Sequence, residues 1–139
     1  IIIDEAHLLR GENLYEIQII LNFDIDSTNP ALFILVGQSH LRDKISRPVY
    51  DSLNQRFCLK YHITPMNKQE TTDYIKHRLN ICGAKENIFN ESAIESIFQE
   101  TAGIPRYIDN IATKALTIAC INKKHIITEE EIFNASKEL

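Results

Sequence analysis

Two unbroken apolar runs set the first constraint on the fold. One is the opening Ile-Ile-Ile that leads into Asp4 and Glu5, and the other is Ala-Leu-Phe-Ile-Leu-Val at 31–36. Runs of this length without polar alternation suit strands covered on both faces, as in parallel sheets. Between them, in the stretch 12–23, Leu14, Ile17, Ile20 and Leu21 recur at helical spacing. Strand, helix and strand together predict a βαβ crossover. Short helices are expected at 39–45 and 47–57, the second with Pro48 in its first turn, and 57–63 (FCLKYHI) alternates like a third strand. A chain that starts without Met on its most strand-like run reads as a piece of a longer protein, cut at the edge of a buried strand.

From Thr64 onward the strand signal stops. Asn67 with Glu70 predicts a capping box, and Tyr74, Ile75, Leu79 and Ile81 carry a helix toward Gly83. Asn90 can cap a second helix holding Ala93, Ile94, Ile97 and Phe98 that ends near Gly103. Pro105 opens a third, along which Ile108, Ile111, Ala112, Ala115, Leu116 and Ala119 keep helical spacing. Thr128 and Glu131 form another capping box ahead of Ile132, Phe133 and Ala135. The fold class is therefore α/β over 1–63, followed by an all-α bundle of about four helices over 64–139, with the boundary in the turn around Pro65.

Composition narrows the function classes. With 44% hydrophobic residues in 139 there is material for a core of ordinary size, and no run approaches the roughly eighteen apolar residues of a membrane span. Nothing resembles a leader peptide. The formal charge of −4 argues against a broad nucleic-acid surface. Cys58, Cys82 and Cys120 are odd in number and widely spaced, which fits reduced thiols of a cytoplasmic protein, each expected as a small core residue. The histidines show no metal-ligand spacing.

Chemistry concentrates at Asp4 and Glu5. Side chains at the carboxyl end of a parallel strand face the crevice where open α/β sheets bind ligands. Adjacent carboxylates there suit a Mg²⁺-phosphate ligand, Asp4 orienting the metal and Glu5 polarising an attacking water. The run has the form of a Walker B motif. The bland alternative is a pair of acids that merely ends a strand and begins a loop.

Four stretches in order, IIIDEAHLL, ILVGQSHLRDKI, LNQRF and GIPRYIDNIATKAL, resemble the AAA+ ATPases, in particular the branch of ExeA-like ATPases of general secretion and TniB-like and MuB-like transposition helpers. The resemblance covers the whole chain. It implies ATP and Mg²⁺ as ligands, Asp4 and Glu5 as Walker B with Glu5 the catalytic base, Gln38 as sensor 1, Arg56 as the arginine finger and Arg106 as sensor 2. It implies a core from Walker B to arginine finger over 1–63 and a helical lid over 64–139. The implied partners are further copies of the chain around the ATP site, a secretion component or a transposase, and in the transposition case DNA. His7 is expected to support the site or the structure, not the chemistry. One family element is missing: no G-x-x-x-x-G-K-[ST] occurs, the glycines being Gly11, Gly37, Gly83 and Gly103. The phosphate loop is expected ahead of Ile1, and the 139 residues alone are expected not to hydrolyse ATP.

Two other classes compete. DEAH also occurs in helicases, which would carry Ser-Ala-Thr after the next strand and a second sheet domain; this chain has VGQSH and then helices. A non-enzymatic reading makes 64–139 an adaptor for a partner or DNA, for which Lys114, Lys123 and Lys124 are the one hint.

Overall fold

The two apolar runs pair. A computed structural model describes residues 1–22, 31–84 and 87–138. In it β1 (Ile2–Ile3) and β2 (Ile34–Leu35) form a parallel ladder with Ile2 opposite Ile34 and Ile3 opposite Leu35. The crossover helix α1 (Gly11–Leu21) follows a 3₁₀ turn at Ala6–Leu8, and the backbone N–H of Arg10 is held by the Asn13 side chain at 3.1 Å. Phe23, the end of the expected helical stretch, lies outside the described residues. After β2 come α2 (His40–Ile45), a 3₁₀ turn at Pro48–Tyr50 and α3 (Asp51–Asn54).

The chain divides into two compact units, Ile1–His62 and Ile63–Leu139. The first has two small apolar clusters. Leu14, Ile17, Tyr50 and Leu53 gather against Ile3, Phe33 and Leu35, and Ala6, Leu41 and Ile45 form the other. The second unit contains α4 (Lys68–Ile81), α5 (Glu91–Thr101), α6 (Pro105–Ile121) and α7 (Glu129–Lys137). Their apolar stripes close over one cluster that includes Ile75, Ile97, Ile108, Ile111, Ile127 and Ile132. Each start carries the signal expected of it. Asn67 and Glu70 exchange side-chain and backbone bonds at 2.9 and 2.8 Å, and Asn90 accepts from the Ala93 N–H at 2.8 Å. Pro105 occupies the first turn of α6, and Glu131 reaches back to the Thr128 N–H at 2.9 Å.

Several expectations need correction. No third strand forms at 57–63 among the described residues: Leu59, Tyr61 and Ile63 are 83%, 85% and 82% exposed. A strand is stable only against a neighbour that pairs its backbone and covers its face, and no described strand lies beside this one. Ile20 and Ile81 point outward. Each stands six residues from its helix's buried anchor, Leu14 or Ile75, a rotation of roughly 240° at the helical pitch. All three cysteines are exposed, not core. Cys82 closes α4 and Cys120 falls in the last turn of α6 beside, not on, the stripe that buries Ala119.

Candidate functional site

Strand pairing brings two of the candidate motifs to one place. Beyond the ladder, the Val36 N–H donates to the Ile3 carbonyl at 2.9 Å and the Ala6 N–H to the Val36 carbonyl at 2.8 Å. Asp4–Glu5 and Gly37–Gln38 therefore leave the sheet side by side at its carboxyl end, the ligand edge of open parallel sheets. There β1 ends in a sharp turn. Glu5 has left-handed backbone angles, φ 52° and ψ 31°, a conformation that costs a non-glycine residue on the order of 1 kcal/mol. The Asp4 carboxylate accepts the Glu5 N–H at 2.8 Å, and the Glu5 carbonyl accepts from Leu8 at 2.9 Å. Both acids stay open to solvent, the Glu5 side chain at 61% exposure.

Beneath them sits His7, with a side chain only 5% exposed. Its Nε2 stands 3.3 Å from Glu5 Oε2, its Nδ1 accepts the backbone N–H of Gln38 at 3.4 Å, and its ring meets His40 edge to face at 4.5 Å. Gly37 makes room for this. A Cβ there would lie 3.1 Å from the His7 nitrogen and from Leu41 Cδ2, and 3.3 Å from His7 Nδ1. From α2, Lys44 donates its ammonium to the carbonyls of His7, at 3.3 Å, and of Leu9. One carbonyl lies within the short 3₁₀ turn and the other just after it, so the lysine ties the turn to α2.

The other two candidates stand on other elements. Arg56 is exposed in the turn after α3, where its N–H donates to the Leu53 carbonyl at 3.0 Å and its own carbonyl faces Cys58 Sγ at 3.8 Å. Arg106 is exposed at the second position of α6, in the helical unit. Gly103 shapes the entry to that helix. It has φ +74°, and a Cβ on it would fall 1.9 Å from the Met66 carbonyl oxygen. Among the described residues, no group of three or more His, Cys, Asp or Glu could hold a metal ion, and no helix is long and apolar enough to cross a membrane.

Sequence reasoning did not find the contacts of His7 or the role of Lys44. The Glu-Ala-His spacing across a tight turn was the available signal for His7. Lys44 offered none, since a lysine on a short helix reads as solvated surface.

The geometry can be set beside known proteins. The AAA domain family profile matches residues 1–45, the segment from β1 through α2. Over all of its length the chain is 31% identical to General secretion pathway protein A of Aeromonas hydrophila, of which it spans 25%. It is also 35% identical, over 63% of its length, to an uncharacterized HTH-type transcriptional regulator of Methanocaldococcus jannaschii, of which the match spans 22%. The chain thus spans about a quarter of the length of these curated relatives. The AAA domain profile thus falls on the acidic strand end, and the likeness to General secretion pathway protein A runs the whole length of the chain.

Proposed function

We propose that this chain supplies the acidic side of an ATP site in a secretion-type AAA ATPase, with residues 1–63 as the later part of the nucleotide-binding core and 64–139 as a helical lid. The observation that carries the reading is the shared exit of β1 and β2, which sets Asp4 and Glu5 beside Gln38 at the ligand edge of the sheet. Magnesium in nucleotide sites keeps several waters and takes one or two protein carboxylates along with the phosphates, so two open carboxylates at a strand end fit it better than a closed cage would. Asp4 would hold the ion, which supplies charge neutralisation on the phosphates when bound. Glu5 accepts the proton of the attacking water. Gln38 reads the γ-phosphate from the neighbouring strand. Arg56 is assigned to the site of an adjoining copy in an oligomer, and Arg106 to the link between nucleotide and lid. Secretion is favoured over transposition because the similarity to General secretion pathway protein A extends over the whole chain.

Glu5→Gln in the full-length protein tests this. The substitution keeps shape and removes the base, so Mg-ATP should still bind while turnover falls about a hundredfold or more. Turnover within a few-fold of the parent would remove Glu5 from the chemistry.

A further inference from the structure

We infer that His7 is a positioning residue that fixes the Glu5 carboxylate against the Gln38 strand, so that the proposed base and the proposed phosphate sensor are set by one buried imidazole. The inference rests on the function proposed above and deepens it. It starts from what each neighbour can offer. The Gln38 backbone N–H is a donor only and it faces Nδ1 at 3.4 Å, so Nδ1 is the acceptor and the ring proton sits on Nε2. That proton then points at Glu5 Oε2, 3.3 Å away. One side of the imidazole is thereby read by β2 and the other by the carboxylate. The ring has little freedom to give this up. It is buried, braced edge to face by His40, and closed in by the glycine at 37, while Lys44 anchors the carbonyl of the same residue.

Glu5 needs such a brace. Its side chain is exposed at a left-handed turn, and among the described residues His7 is the ion-pair-range contact of its carboxylate. An acid that must receive a proton from one water gains from having one oxygen held and the other left open, because misplacement of a catalytic group by about 1 Å can cost around a hundredfold in rate. A displacement at the Gln38 backbone would reach Glu5 through the same ring.

Two substitutions separate the arms of this bridge. In His7→Gln the side-chain amide can place an N–H near the Nε2 position and keep the Glu5 contact. In His7→Asn the shorter amide can accept from Gln38 N–H and cannot reach Glu5. In the full-length protein, His7→Asn should lower kcat about tenfold or more with Mg-ATP affinity unchanged, and His7→Gln should restore most of the loss. The decisive measurement is a double-mutant cycle with Glu5→Gln. If His7 acts through the carboxylate, His7→Asn costs little in the Glu5→Gln background, because the group it positions is already disabled. An equal fold-loss in both backgrounds overturns the inference, as does a His7→Asn protein with parental kcat. A weakened fold is distinguished by the melting temperature of each variant and by the His7→Gln rescue. Failure of the proposed function looks different: Glu5→Gln alone then retains turnover, whatever His7 does.

Discussion

The two units of this chain reach order by different means. In the helical unit the information is local. Asn67 with Glu70, Asn90, and Thr128 with Glu131 close the helix starts within a few residues, and the four stripes bury one another in a single cluster. In the sheet unit the two strands are short and the clusters are small. Ile2, Leu32, Ile34 and Val36 stay exposed, as do Leu59 and Tyr61. A helix satisfies its own backbone, whereas a strand depends on what lies beside it and over it. The proposed chemistry nevertheless lies on the strand ends. Low local packing around a binding edge is what regions that must respond to ligands share, so the helical unit should dominate the stability of the chain and the sheet unit should set its activity.

The largest break in that contrast should come from Gly103→Ala. The glycine holds φ +74°, and the new Cβ would meet the Met66 oxygen at 1.9 Å and the carbonyl carbon at 2.8 Å. These are backbone atoms that cannot swing aside, and the Met66 N–H is itself bonded to the Gly103 carbonyl at 3.0 Å. Left-handed strain and steric overlap add, for a loss of about 3 kcal/mol or more. Urea unfolding followed by circular dichroism should show the helical signal shifted to much lower denaturant, and hydrogen exchange should show α4–α7 losing protection. Unchanged protection in α4–α7 would mean that the Met66–Gly103 approach does not hold the unit together.

This difference in mechanism also decides what could be read from the residues alone. Capping pairs and stripes act within a turn or two, so Asn67–Glu70, Asn90, Pro105 and Thr128–Glu131 announced their helices correctly. The parallel pairing of the two apolar runs was legible for a similar reason, because only a crossover connects parallel strands. The failures were positions where a neighbour decides. The 57–63 stretch alternates like a strand but finds no pairing partner among the described residues, and apolar Ile20 and Ile81 lie off the buried stripe. At the candidate site, Asp4 and Glu5 stand out from their place after an apolar run. That His7 would bridge Glu5 to Gln38 depended on pairing across residues more than thirty apart in sequence, which no local pattern carries.

A middle-sized effect should appear at Glu131 and should depend on pH. Its carboxylate is buried, receives the Lys124 ammonium, and accepts from the Thr128 N–H at 2.9 Å and hydroxyl at 2.7 Å. The lysine contributes most, burial opposes it as the next largest effect, the two Thr128 bonds add to the lysine, and the acid is held down to about 2. Because the folded value lies below the ordinary one of 4.5, the stabilisation is fully present above pH near 4.5 and is lost as pH falls toward 2. Glu131→Gln should therefore cost about 2 kcal/mol at pH 7, and the gap to the parent should close progressively in melts taken at pH 4, 3 and 2.5. A gap that stays constant across that range would show that packing, not ionisation, sets the cost.

The smallest effect should run in the opposite direction and test whether the helical unit is fully optimised. Thr71 is wholly buried on α4, and its hydroxyl finds no partner among the described residues. A helical threonine usually donates to the carbonyl four residues back, as Thr72 does to Lys68 at 2.9 Å and Thr101 to Ile97 at 2.7 Å. For Thr71 that carbonyl belongs to Asn67, which accepts the Thr71 N–H at 2.9 Å but not the hydroxyl. The hydroxyl has thus left water without replacing its hydrogen bonds, which costs on the order of 1 kcal/mol or more. Valine has nearly the same shape and no hydroxyl. Thr71→Val should raise the urea midpoint by the equivalent of about 0.5–1 kcal/mol, whereas Thr101→Val, which breaks a buried bond, should lower it by about 1 kcal/mol. Opposite signs for two identical substitutions in one core would isolate hydrogen bonding from packing, since the change in volume is the same. If both variants were destabilised alike, the Thr71 hydroxyl would have a partner after all, and its burial would no longer count as a flaw in the better-built half of the molecule.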